Sequence, residues 1–294
     1  MSRVQPPQER ESKKEASVSA YYAEQTDFMV NRAGDLLAYH YGLWGPNTTT
    51  EEEALLRAEL TLIQGCDLHP GRRVLDAGCG VGGTAIMLAE TYGVHVTGLT
   101  NCEPHVEVAE EHARRRGVDH LVEFHYGDFM NFPFPDASFH SVLNHNSFCY
   151  APDKLAYLRG VHRVLKPGGR WQAVDILTKD APRSETQEAY QTNVQQGWHL
   201  PPVASWPDVA AVLEEAEFEQ IECQDLSSEV SRSTEKIRKQ WQLFTFLIPP
   251  SGWPSGAILE SAEAAVNYSL GLQEGVFTYN FFSARRPDQR TAPQ

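Results

Sequence analysis

The stretch VLDAGCGVGG, residues 74–83, constrains this chain more than any other. An apolar run enters a turn with glycines at 78, 80 and 83, and GGTAIMLAETYG continues as a helix. A strand, a glycine turn and a helix start bring backbone close to a bound ligand. The alternation then goes on. VHVTGLT reads as a strand, EPHVEVAEEHARRRG as a helix, and LVEFHYGD and SFHSVLNHNS as strands. DKLAYLRGVHRVLK reads as a helix, and KPGG turns into the strand RWQAVDILT. Regular alternation of this kind builds an α/β fold, a mostly parallel sheet with helices on both faces. Ligands of such sheets sit at the carboxyl ends of the strands.

The flanks add further parts. Residues 1–17 are polar and read as a disordered tail. SVSAYYAEQTDFMVNRAG begins as a helix, and TTTEEEALLRAELTLIQGC follows with capping threonines, acids in its first turn and Leu55, Leu56, Leu60 and Ile63 at helical spacing. Residues 178–206 break the rhythm and end rich in Trp, His and Pro. DVAAVLEEAEF and EQIECQDLS resume it, residues 229–270 read as helical and aromatic, and GVFTYNFFSARRP alternates like a final strand. The expected division is a tail at 1–17, a helical lid at 18–65 and a ligand-binding core at 66–178. A cap at 179–206 and 229–270 follows, with the rest of the core at 207–228 and 271–287 and a second tail at 288–294.

The glycine spacing fits a dinucleotide loop, but its companion is missing. That reading needs an acid at the end of the second strand, about 20 residues past the first glycine, for a ribose hydroxyl. Thr100 and Asn101 stand there instead. Asp76, two residues before Gly78, would also face a pyrophosphate badly. A cofactor without phosphate fits better, namely S-adenosylmethionine. Gly78 and Gly80 admit its methionine part, Asp76 orients its amino group, Asp128 takes the adenine amine and Phe129 covers the ring.

Bulk properties narrow the partners. The 294 residues carry a formal net charge of −14, which argues against nucleic acid and anionic lipid. No apolar run reaches the roughly 18–20 residues of a membrane span, and the charged N-terminus does not read as a secretory signal. Five scattered cysteines without a C-x-x-C pair read as reduced thiols in a cytoplasmic protein, with no metal site.

DAGCGVGG, then GDF some 45 residues on, then HRVLKPGGR, resemble in combination a class I S-adenosylmethionine-dependent methyltransferase. YYAEQTDFMVNRAG with HYGLWGP, TGLTNCEPH, LNHNSFCYAPDK and LQEGVFTYNFFSARRP resemble the sterol 24-C-, geranyl diphosphate and tocopherol C-methyltransferases. That resemblance spans roughly residues 18–180 and 270–287. It implies a Rossmann-like seven-stranded sheet with an N-terminal lid and a late-inserted cap. It also implies that Tyr21 closes over the methionine end of the cofactor, that Thr100 and Asn101 meet the ribose, and that Asn144 to Ser147 line the methyl-transfer site. His105 stands where that group normally has Gln.

The resemblance implies C-methylation of an isoprenoid alkene through a carbocation, with cyclisation as one outcome. The acceptor would be a terpene, a sterol or a prenylated natural product such as an indole alkaloid. One departure matters: Asn146 stands where many alkene methyltransferases carry a Glu that handles the cation. His145 is the nearest alternative base, with His199 and Asp175 as further candidates and a side chain turned away from the site as the opposing reading. Trp198, Trp206, Trp241, Phe244, Phe246 and Trp253 either wrap a hydrophobic substrate and its cation or serve as core. Arg32 and Arg170 are the residues to weigh for a diphosphate, but no dense basic cluster accompanies them, and ARRRG at 113–117 reads as a solvated face. The rivals are O- or N-methylation of a natural product or small amine, and a scaffold that binds cofactor without turnover. The N-terminal helix also suggests a homo-oligomer formed by exchange.

Overall fold

The computed structural model describes residues 7–288 apart from 35, 36, 253 and 255, with backbone alone for 7–17, 32 and 33. Seven strands form one sheet: β1 (Arg73–Ala77), β2 (His95–Thr100), β3 (Val122–Tyr126), β4 (Phe139–His145), β5 (Leu165–Thr178), β6 (Glu219–Asp225) and β7 (Phe277–Arg285). Their order is β3-β2-β1-β4-β5-β7-β6. β1 pairs in parallel with β2 and β4, whereas β7 runs antiparallel to β5 and β6. This is the expected Rossmann-like sheet.

Helix α1 covers Pro7–Ala33, α2 Glu51–Leu62, α3 Gly83–Tyr92, α4 Glu103–Arg116 and α5 Lys154–Val164. They are followed by α6 (Glu185–Gly197), α7 (Trp206–Glu215), α8 (Ser227–Leu247) and α9 (Ala257–Gln273). α1 runs through the boundary expected at 17/18, so residues 7–17 are helical and not a tail. Residues 1–6 and 289–294 of the two expected tails lie outside the described residues.

Local chemistry explains the elements. Thr50 accepts the Glu53 amide at 3.2 Å while Glu53 accepts the Thr50 amide at 3.1 Å, a reciprocal cap at the start of α2. Gly93 and Gly117 end α3 and α4 in the left-handed conformation, where a side chain is strained. Arg114, Arg115 and Arg116 are solvated and pair with Glu111 and Glu90, as their sequence reading requires. KPGG departs from expectation. β5 already begins at Leu165 and passes through these residues, with an irregularity in its pairing to β4 and Gly168 at φ +75.

Period-two alternation divides the core. Val74 and Leu143 face one layer with Ile86, Leu88 and Val96, and Leu75 and Val142 face the other with Leu158 and Trp171. By the same alternation, Asp76 and His145 share the first face and Asn144 turns to the second. α6 and α8 pack on α9, and α1 lies across α9 and α4. α1, α8 and α9 roof the carboxyl ends of β1, β2 and β4.

Candidate active site

A cavity of ≈ 890 Å³ opens under that roof. The size suits a small-molecule site, for which about 300–1,000 Å³ is usual. Its floor is the glycine turn. The Gly78 and Cys79 amides both donate to Leu99 O, at 2.8 and 3.1 Å, which ties the turn to β2. Gly78 has φ +91, and a Cβ there would collide with Ser147; Gly80, at φ +52, faces open space. Both positions therefore favour glycine, one for clearance and one for approach.

Asp76 lies beneath this turn, 1% exposed, and its Oδ2 has no hydrogen-bond partner. Burial, with a smaller push from Glu59, raises its carboxyl to about 8. A buried acid with an orphaned oxygen fits an ammonium group that arrives with a ligand. Cys79 is buried too, and burial pushes its thiol up, so it is a small packing residue and no nucleophile.

Thr100, Asn101, His105, Asp128 and Phe129 line the neighbouring wall, as the sequence led us to expect. Asp128 caps the following turn through the Met130 amide at 2.8 Å. Phe129 is braced edge-on by Tyr157 at 5.2 Å. His105 is buried, its Nε2 lacks a partner, and burial lowers it to about 4, so it is a neutral ring. From α1, Tyr21 and Tyr22 enter the cavity. The Tyr22 hydroxyl donates to that of Tyr150 at 2.8 Å, and Tyr21 packs on the His199 ring at 4.8 Å.

The opposite wall carries His145, Asn146 and Ser147. Asn144, expected to line the methyl-transfer site next to the cofactor, does not reach the cavity. Its amide donates to Ala77 O at 2.8 Å and accepts from Tyr157 and Trp171 at 2.7 and 2.8 Å, so it is a fully satisfied strut between β1 and β4. Strand alternation turned it inward and turned His145 toward the cavity. Asn146 has φ +52, and its Oδ1 accepts the Tyr279 hydroxyl at 2.7 Å. Asn tolerates that backbone better than most residues.

The His145 side chain is 6% exposed and neither ring nitrogen has a hydrogen-bond partner. Burial and nearby His40 lower it to about 4 against the opposing pull of Glu59. It is thus a neutral imidazole at neutral pH, able to accept a proton. His199 is held differently. At φ +55 it contacts Glu260 at 3.2 Å and meets Tyr21, so it joins lid to cap at the rim. Asp175 lines the cavity, but its oxygens accept the Cys149 and Ile176 amides, both at 2.8 Å, and burial raises its carboxyl.

Two residues here escaped the sequence reading. His40, in the loop after α1, and Glu59 of α2 meet at 2.9 Å, and both line the cavity beside His145. They come from separate segments, His40 at the start of HYGLWGP and Glu59 within α2, and only tertiary packing unites them.

The cap aromatics divide. Trp198, Trp241 and Phe244 line the cavity. Trp206 stacks on Phe282 within the core, Phe246 is 84% exposed, and Trp253 lies outside the described residues. Arg170 is remote and binds Ser283 and Gln220 at 3.2 and 3.1 Å; the side chain of Arg32 is outside the described residues. Among the described residues lining the cavity, Lys236 is the one Lys or Arg, and it pairs with Glu51 at 2.8 Å.

Residues 74–169 match a family model described as a methyltransferase domain. The chain is 32% identical over 254 residues to 27-O-demethylrifamycin SV methyltransferase of Amycolatopsis mediterranei (strain S699), covering 85% of this chain and 90% of that one. It is 33% identical over 219 residues to cycloartenol-C-24-methyltransferase of Arabidopsis thaliana, covering 70% of this chain and 65% of that one. Among solved structures, the [4+2]-cyclase SpnF has the same fold, with a TM-score of 0.78 at 24% identity over 94% of this chain and 97% of that one.

Proposed function

Because the chain belongs to the class I S-adenosylmethionine-dependent methyltransferases, we propose that its acceptor is an alkene carbon of an uncharged isoprenoid. The acceptor would be a terpene, a sterol or a prenylated natural product such as an indole alkaloid. One observation carries this reading: the cavity joins a glycine turn, with the orphaned Asp76 buried beneath it, to an aromatic chamber with a neutral, unpartnered His145. A single paired lysine among its described lining residues argues against a diphosphate.

The cofactor is S-adenosylmethionine, which supplies a methyl group on a sulfonium when bound. Asp76 then holds the ammonium end, Thr100 and Asn101 the ribose, and Asp128 and Phe129 the adenine. His105 closes that wall as an uncharged ring. Trp198, Trp241 and Phe244 present π faces to cationic charge on the acceptor, and Tyr21 and Tyr22 close the roof against water. His145 accepts the proton that the methylated acceptor loses, and the Asn146 amide, pinned by Tyr279, shapes the wall beside it. His199 holds the lid to the cap and is not the base. The chain would divide into a lid at 7–65, a core at 66–178 with 207–228 and 271–287, and a cap at 179–206 and 229–270. We also keep the homo-oligomer through α1, which light scattering on the purified chain tests.

O- or N-methylation of a natural product or small amine is the second reading, and the similarity to 27-O-demethylrifamycin SV methyltransferase favours the oxygen acceptor. Turnover of methyl-labelled S-adenosylmethionine against sterols, terpenes and prenylated indoles decides between them. NMR should place the label on a former alkene carbon. A label on oxygen or nitrogen refutes the isoprenoid reading, and no label with cofactor bound supports a scaffold.

A further inference from the structure

We propose that Glu59 and His40 are positioning residues that hold His145 with its hydrogen on Nδ1 and Nε2 free to accept a proton. The inference rests on the reading of His145 as the acceptor of the substrate's proton.

The three side chains come from three elements. Glu59 stands on α2 and accepts from Thr84 at 3.0 Å. His40 approaches the same Glu59 oxygen at 2.9 Å, and its Nδ1 lies 3.2 Å from Tyr41 O. The other oxygen, Oε2, has no hydrogen-bond partner and faces His145 Nδ1 at 3.7 Å. That distance exceeds a hydrogen bond, and a shift of under about 1 Å closes it. The His40 ring stacks on His145 at 3.8 Å and 24°, which fixes the plane in which His145 can turn. The groups acting on His145 are His40 and Glu59, and those acting on Glu59 are His145, His40 and Asp76.

A carboxylate facing Nδ1 selects the Nδ1–H form and leaves Nε2 as the acceptor. In the C-methylation reading, a C–H bond beside the cationic carbon breaks and its electron pair becomes the new double bond. The proton passes to Nε2, and Glu59 offsets the charge that the ring gains. The same trio also offers two nitrogens and a carboxylate within 4.8 Å of one another, a donor set for a metal ion. The stacking argues against it. Lone pairs lie in the ring planes, and nearly parallel rings 3.8 Å apart do not aim them at one point.

Nitrogen NMR of the full-length protein with S-adenosylhomocysteine at neutral pH reads the tautomer directly, with His145→Gln assigning the signal. The wild type should show Nδ1–H at His145, and Glu59→Gln should lose that preference while the fold, checked by amide spectra, persists. If Glu59→Gln does not fold, Glu59→Asp and His40→Phe serve, each weakening the preference. On a substrate that turns over, Glu59→Gln should lower kcat by about 10²-fold with little change in cofactor KM, since it acts through a base. An Nε2–H form in the wild type, an unchanged tautomer in the variants, or a change in KM alone overturns the proposal. So does stoichiometric broadening or shifting of the His40 and His145 signals by Zn²⁺ or Mg²⁺, which would make them metal ligands. A methyl found on a heteroatom refutes the isoprenoid reading but leaves the tautomer result standing.

Discussion

At the scale of single residues, Asp76 ties binding to stability. Its carboxyl is raised to about 8 by burial and Glu59. A raised acid costs nothing below its unfolded value, and its cost grows as pH climbs toward the folded one. Asp76→Asn should therefore melt higher than the wild type without cofactor, by a margin that widens from pH 4 to pH 8. The same change should weaken S-adenosylmethionine about 10- to 100-fold in calorimetry, the worth of a hydrogen bond to a charged group at 1.5–3 kcal/mol. Asn146 shows the opposite balance. At φ +52 it suits its backbone and is bonded to Tyr279. Asn146→Glu, which installs the acid that the resemblance led us to expect at this place, should lose about 1–2 kcal/mol in chemical denaturation. The Asn was visible in the sequence, but its backbone conformation was not.

At the scale of elements, α2 and α1 carry the site's less obvious parts. The Thr50–Glu53 cap holds the start of the helix that bears Glu59. Thr50→Ala should cost about 1 kcal/mol in denaturant midpoint measurements. Tyr22→Phe removes the hydroxyl that ties α1 to Tyr150. It should speed cofactor release in stopped-flow traces about 2- to 10-fold, the range of one hydrogen bond at 0.5–1.5 kcal/mol. The strands and helices of the core were legible because their apolar periods are strong. α1 was legible only from residue 18, because the polar run before it gives no apolar stripe. The cap was legible as aromatic, but its composition could not say that Trp206 joins the core while Trp241 lines the cavity.

At the scale of the whole molecule, buried neutral histidines set the acid limit. His105 and His145 are both lowered to about 4 by burial. A histidine with a depressed folded value contributes fully above its unfolded value near 6.5, and the contribution is lost as pH falls toward the folded one. Each should steepen the loss by about 1.4 kcal/mol per pH unit between about 6.5 and 4. Asp76 acts against them across that window and offsets one of the two. His105→Gln should flatten the slope and Asp76→Asn steepen it, as denaturant titrations from pH 4 to 7 would show. The sequence alone determined the α/β sheet, the glycine turn and the cofactor, because strand and helix periods and a close-approach turn are local chemistry written in consecutive residues. Tertiary structure decided which side of β4 faces the cavity. It also decided that Asn144 is a strut and that His40 and Glu59 meet His145. Those facts depend on strand register and on the docking of α2 and the residue-40 loop, where distant segments share one buried charge.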